Sequence, residues 1–200
     1  MSATVVALAS RNPGKLREIR TTLAGSGVAA SVVSADSYPG WEAPDETAPD
    51  YAGNARLKAR SLASFAGVPA LADDSGIEVD ALEGGPGPRS ARFAGVDATD
   101  DENLRKLIEI VRAVDATERG ARYRCVAVLV TPDGAESLAE GSVEGTLITE
   151  PRGAGGFGYD PIFVPIGETR TMSELSSDEK DAISHRGKAF RGLVEALRSL

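Results

Sequence analysis

A chain of 200 residues with 42% hydrophobic side chains is long enough for a sizeable packed core and too apolar for a disordered protein. Its formal charge of −8, from 22 basic against 30 acidic residues, argues against nonspecific nucleic-acid or membrane-surface binding. An anionic ligand would have to be met by positive charge gathered locally, often with a divalent cation.

The first apolar run, TVVALA (4–9), is short and β-branched and ends at a turn, which predicts a buried strand. Leu16, Ile19 and Leu23 then recur at helical spacing, in a helix expected to stop near Gly25 and Gly27. A second strand is expected over 30–34. The stretch 37–50, with three prolines and several acids, reads as a loop long enough to carry function. Residues 51–65 are helical in pattern and carry Asn54, Lys58 and Arg60. VPALADD (68–74) reads as a strand running into an acidic turn, after which GIEVDAL (76–82) resumes β character. GGPGPRSARFAG (84–95) is expected to be irregular. A helix is expected over 101–114, with Leu104, Leu107, Ile108 and Val111 on one face. RYRCVAVLV (122–130) and ESLAEGSVEGTLI (136–148) flank a Pro-Asp-Gly turn, a hairpin signal. A glycine-rich loop, GAGGFGYDPIF (153–163), enters a short strand. The C-terminal helix has Phe190, Leu193, Val194 and Leu197 as its buried stripe. No repeat or linker breaks the chain, so one α/β domain over 1–200 is expected, with a mixed sheet. The lone cysteine, Cys125, lies in an apolar run and cannot form an intrachain disulfide. With no leader and no apolar run of about eighteen residues, a cytoplasmic protein is expected.

SRNPGK (10–15) stands between the first strand and the first helix, where many nucleotide enzymes hold phosphate. It is not a P-loop: Ala9 and Leu16 occupy positions where that motif needs Gly and Ser or Thr. Asn12 is a good helix cap and Pro13 suits a first turn. First-turn N–H groups and Lys15 would attract an anion; the same residues equally describe an ordinary capped helix. Any metal must then be held elsewhere, by carboxylates. ADDSG (72–76) puts two acids at a strand end, where neighbouring side chains point to opposite faces. Asp73 and Asp74 are therefore not expected to chelate one ion symmetrically, and one of them is free to orient either backbone or a lysine. The alternative is an Asx turn. Glu46 is a second oxygen ligand or a solvated charge. Near the C-terminus, Lys180, His185 and Arg186 gather around a helix expected to start at His185, either as donors suited to keto groups and phosphates or as ordinary surface charge at a helix end. Phe157 in FGYD (157–160) either stacks on a base or packs beside a turn.

Taken together, SRNPGK, NARLKA (54–59), ADDSG, GGFGYDPIF and SHRGKA (184–189) resemble the inosine triphosphate pyrophosphatase family along nearly the whole chain. The resemblance implies an elongated mixed β-sheet flanked by helices, in two lobes with the active-site cleft between them. It implies Mg²⁺-dependent hydrolysis of deaminated purine nucleoside triphosphates to the monophosphate and pyrophosphate, by a homodimer. Ser10, Arg11, Asn12, Pro13, Gly14 and Lys15 would form the triphosphate loop, with Lys58 nearby. Asp74 would hold Mg²⁺ and accept a proton from water, Ser75 would touch substrate, and Asp73 would give close support. Glu46 matches a metal-binding glutamate. Phe157, Gly158, Tyr159, Asp160, Lys180, His185 and Arg186 match the base and sugar pocket. Gly53 stands where an acid is common, which leaves the Mg²⁺ coordination short of a ligand. Two alternatives keep the pocket: a related pyrophosphatase acting on pyrimidine or modified nucleotides, and a non-catalytic nucleotide sensor.

Overall fold

The computed structural model describes residues 4–200. Its strands are β1 (Thr4–Leu8), β2 (Ala30–Ser34), β3 (Ala70–Val79), β4 (Gly120–Val130), β5 (Glu136–Leu147) and β6 (Phe163–Pro165). The helices are α1 (Pro13–Ala24), α2 (Tyr51–Ala66), α3 (Asp100–Arg112), α4 (Ser177–Ile183), α5 (His185–Gly192) and α6 (Val194–Arg198). The strands form one sheet in the order β2-β1-β3-β4-β5-β6. β1 is parallel to β2 and β3, and β5 is antiparallel to β6, so the sheet is mixed and the fold is α/β. Among the described residues no helix is long and apolar enough to cross a membrane.

The chain divides into two compact units. Among the described residues the first comprises 4–74, 125–141 and 186–200. Within it, strand alternation sorts the core onto two faces. Val6, Leu8, Leu71, Cys125, Ala127 and Leu129 pack with Ile19 and Leu23 of α1, Phe190 of α5, Leu197 of α6 and Leu193 between the last two. Ala7, Ala70, Ala72, Val126, Val128 and Val130 pack with Ala55, Ala59, Leu62 and Ala63 of α2. Small alanines on the second face let α2 lie close to the strands. The second unit comprises 75–124 and 142–185. Its core joins Ile77, Val79, Tyr123 and Val143 to Leu107, Ile108 and Val111 of α3 and to Ile162 and Phe163.

Most element boundaries agree with the sequence patterns, down to the helix start at His185. Two expectations are corrected. ADDSG is not a turn: β3 runs unbroken from Ala70 to Val79, through both aspartates and Gly76. Gly76 serves close approach instead, since a Cβ there would stand 2.2 Å from the Gly87 carbonyl oxygen and 2.5 Å from Ser90 Oγ. The 84–95 segment is also more regular than expected. Residues Gly87–Arg92 form a 3₁₀ helix, stapled to β3 by Ser90, whose Oγ accepts from Ile77 N at 2.9 Å and donates to Gly87 O at 2.6 Å.

Candidate active site

β1 pairs with β3 only as far as Leu8 and Leu71, with one more bond from Ala9 N to Leu71 O. There the first strand turns away into the 10–15 loop, while β3 continues and carries Asp73 and Asp74 past the end of its neighbour. Functional groups gather at such carboxyl ends of parallel strands in α/β proteins. Parity decides where each carboxylate goes. Asp73 shares the face of Leu71, toward α1 and α5; Asp74 shares the face of Ala70 and Ala72, toward α2.

On the first face Lys15 Nζ donates to both Asp73 oxygens, at 2.9 and 2.8 Å. Arg186 Nε donates to Asp73 Oδ2 at 3.1 Å, and its Nη1 to Glu18 Oε2 at 2.8 Å. Burial by itself would push the Asp73 carboxyl up, but the Lys15 ammonium, the Arg186 guanidinium and Lys58 outweigh it and hold it well below the usual carboxylate range. Burial pushes the Cys125 thiol, 4.0 Å from Asp73 Oδ2, well up, with the Asp73 charge adding to the shift, so it remains a protonated core residue. Asp73 is therefore a fixed anion that orients a lysine, one of the two roles the sequence left open for this pair.

Asp74, on the second face, meets a different set. Asn54 Nδ2 of α2 donates to Asp74 Oδ2 at 2.9 Å. Lys58, one turn further along the same helix, brings its Nζ to 3.9 Å from Asp74 Oδ1 and 2.8 Å from Glu46 Oε1. Here burial prevails: it raises the Asp74 carboxyl above its ordinary value against the pull of Lys58 and Asn54, and the charges of Glu46 and Asp73 add to the rise. Burial alone would lower the Lys58 pKa, but the charges of Asp73, Asp74 and Glu46 reverse that and raise it. Two neighbouring acids thus have opposite characters, one held ionised and one made more basic.

The same cluster tests for a metal. Among the described residues no group of three or more His, Cys, Asp or Glu side chains gathers as a metal site. Glu46 and Asp74 nevertheless converge on one cation, the Lys58 ammonium, which marks a place where positive charge is stable between two carboxylates. Mg²⁺ is commonly held by one or two carboxylates, with substrate phosphates and waters completing its shell. The pair fits that requirement. Gly53 offers no third ligand, and a side chain there would collide with Ala48 Cβ at 2.4 Å.

The 10–15 loop is more self-satisfied than its sequence suggests. Asn12 Oδ1 accepts from Gly14 N at 2.8 Å and from Lys15 N at 3.3 Å, and Ser10 Oγ accepts from Asn12 N at 3.1 Å. The first-turn donors expected to be open to an anion are thus engaged by the cap. Pro13 sits in the first turn, as its missing N–H favours. Arg11 donates to the Trp41 carbonyl at 2.7 Å and pairs with Asp36 at 3.5 Å, tying the loop to the segment that leads to Glu46.

The remaining predicted residues belong to the second unit. Ser75 follows Asp74 along β3 and is half-buried. Asp160 is buried and accepts from Lys180 Nζ and Phe157 N through Oδ2, and from the Tyr123 hydroxyl through Oδ1 at 3.1 Å. Lys180 Nζ lies 4.7 Å from the centre of the exposed Phe157 ring. Gly158, at φ +59, donates its N–H to Asp100, and Tyr159 donates its hydroxyl to Ser90 O at 2.7 Å. His185 stacks on Tyr123 with ring centres 4.9 Å apart and planes at 10°. Phe157, Asp160, Lys180 and His185 are thus one connected set. Arg186, next in sequence, belongs to the Asp73 cluster instead. Sequence reasoning assigned no role to Glu18, Asn54 or Tyr123. Asn54 was open to detection, since it lies one turn from Lys58 on the same helix face.

A mixed α/β sheet that gathers lysines and acids just past the end of a parallel strand, with an aromatic and cationic set in its second unit, has the makings of a nucleotide-handling protein. The chain belongs to the Ham1 family, whose model matches residues 6–196. A curated relative from Streptomyces coelicolor, named dITP/XTP pyrophosphatase, is 51% identical over 193 residues, 96% of each chain. Two solved structures share the fold. A HAM1 protein from Coxiella burnetii superposes with a TM-score of 0.89 at 39% identity, over 98% of this chain and 100% of that one. A nucleoside-triphosphatase / dITP/XTP pyrophosphatase from Mycobacterium abscessus does so with a TM-score of 0.79 at 42% identity, over 98% and 100%.

Proposed function

We propose that this chain hydrolyses deaminated purine nucleoside triphosphates (ITP, dITP and XTP) to the monophosphate and pyrophosphate, removing them from the pool that supplies DNA and RNA synthesis. The observation that carries this reading is the division of labour between Asp73 and Asp74. One carboxylate holds Lys15 in place, while its neighbour, made more basic by burial, faces Lys58 and Glu46. The activity named for close relatives supports it.

Asp74 orients a water and accepts its proton, a role that its raised pKa favours. Lys15 and Lys58 are the cations that meet the triphosphate and offset charge moving onto the departing pyrophosphate. Asp74 and Glu46 would hold Mg²⁺, which would supply further positive charge against the negative charge of the departing pyrophosphate. Ser10, Arg11, Asn12, Pro13 and Gly14 shape the loop around the tail, and Ser75 lies next to the water-activating carboxylate. Arg186 acts through Asp73, keeping that carboxylate ionised. Phe157 offers a face for the base to stack on, and Lys180 and His185 offer donors to a keto oxygen at the purine six-position. Adenine presents its amino hydrogens to those donors, and each buried donor left unpaired costs about 1–3 kcal/mol. Guanine shares the keto group and must be turned away at its two-position amine. A cytoplasmic homodimer completes the reading, and light scattering measures that state directly.

The test is pyrophosphate release from dITP, XTP, dGTP, dATP and dUTP, with and without Mg²⁺. Rapid Mg²⁺-dependent release from dITP and XTP, with slow release from the others, is the expected result. Preference for dUTP, or no release from any nucleotide, would replace the reading with one of its two alternatives.

A further inference from the structure

Tyr123 has no counterpart among the residues singled out by sequence, yet it touches the base-binding set at two separate points. Its hydroxyl donates to Asp160 Oδ1 at 3.1 Å, the oxygen that Lys180 and Phe157 N leave to it. Its ring lies parallel to His185, centres 4.9 Å apart, while its other contact is a tilted Phe163 ring at 4.7 Å and 51°. Phe163 is fully buried in the core of this unit, so the tyrosine packs against a fixed neighbour. One side chain on β4 therefore contacts both the imidazole and the carboxylate that anchors Lys180. Burial and the neighbouring Asp160 charge push its phenol well above its ordinary value, so it remains a donor.

We propose that Tyr123 is a positioning residue for base selection: through its ring it fixes His185, and through its hydroxyl it fixes the Asp160–Lys180 pair. This rests on the proposed pyrophosphatase reading and adds a specificity determinant to it. Its hydrogen bond and ring contacts are to Asp160, His185 and Phe163 and to none of Lys15, Lys58 and Asp74, so its removal is expected to separate recognition of the base from recognition of the tail.

The experiment compares wild type with Tyr123→Phe and Tyr123→Leu. In Tyr123→Phe the stack remains and the hydroxyl is lost; in Tyr123→Leu both are lost. Expected is a rise in KM for dITP of about three- to tenfold in Tyr123→Leu, on the scale of a lost aromatic pair, with kcat changed less than KM. The preference for dITP over dATP falls in both variants, and further in Tyr123→Leu. Inhibition by inorganic tripolyphosphate stays at wild-type strength while inhibition by IMP weakens, a split that general loss of structure would not produce. The chain has a single histidine, so one set of imidazole proton resonances reports the stack. Those resonances are expected to keep their shifts in Tyr123→Phe and to move in Tyr123→Leu. Unchanged dITP selectivity and IMP inhibition in both folded variants would overturn the proposal. Failure of the wild type to hydrolyse dITP would overturn the pyrophosphatase reading, whereas the imidazole shifts would still report on the geometry.

Discussion

Asp73 and Asp74 are joined by one peptide bond, and strand geometry alone sends their side chains into opposite environments. Asp74→Asn is expected to abolish pyrophosphate release from dITP while leaving the fold intact, because the amide matches the carboxylate in shape and cannot accept a proton. Circular dichroism and turnover measured together check this; normal turnover would remove Asp74 from its role. Lys15→Ala is expected to raise KM for dITP strongly. Unchanged kinetics would return the 10–15 loop to an ordinary capped helix. Asp73→Asn is expected to cost about 3–5 kcal/mol of stability, the usual penalty for taking away one partner of a buried ion pair. That corresponds to a fall in Tm of roughly 10 °C for a chain of this length, read by thermal melting. None of these side-chain roles is visible in composition. The sequence offered two acids and several cations; the resemblance of five motifs taken together pointed to Asp74 and Lys15 as site residues, and their pairing partners came only from the structure.

The elements explain why the aspartates stand where they do. β3 outruns β1, and Gly76 lets it pass beneath the 3₁₀ helix of Gly87–Arg92 without collision. Gly76→Ala would press a methyl group into the Gly87 carbonyl. At least about 2–3 kcal/mol of destabilisation is expected, measurable by denaturant titration, since backbone cannot yield as a side-chain tip can. Asn12→Ala is expected to cost about 1 kcal/mol by removing the cap on α1. Element positions were largely legible because alternation and helical spacing are local patterns. The two misread segments, 72–76 and 84–95, share a cause. Asp, Ser, Gly and Pro suit turns in isolation, and only the partner backbone at Gly87 explains why a glycine is needed inside a strand.

For the molecule as a whole, acid is expected to act through Asp73 and Asp74 in opposite senses. Asp73 is held below its unfolded value of about 3.9, so its stabilisation is complete at neutral pH. That contribution is lost as the pH falls below about 4 and toward the depressed native value. Asp74 is raised, so its ionised form is the costly one, and protonation on acidification relieves that cost. The Tm deficit of Asp73→Asn is therefore expected to shrink between pH 7 and pH 3, and a constant deficit would show that the Asp73 charge does not contribute. By itself the sequence determined the α/β class, the order of nearly all the elements and the motifs that point to the family, because these depend on local periodicity and residue type. Only the tertiary structure decided which aspartate holds Lys15 and which faces Glu46, that Arg186 serves Asp73, and that Tyr123 braces His185. Those facts depend on the parity of a strand continued past its neighbour and on contacts between residues far apart in the chain, neither of which a linear pattern encodes.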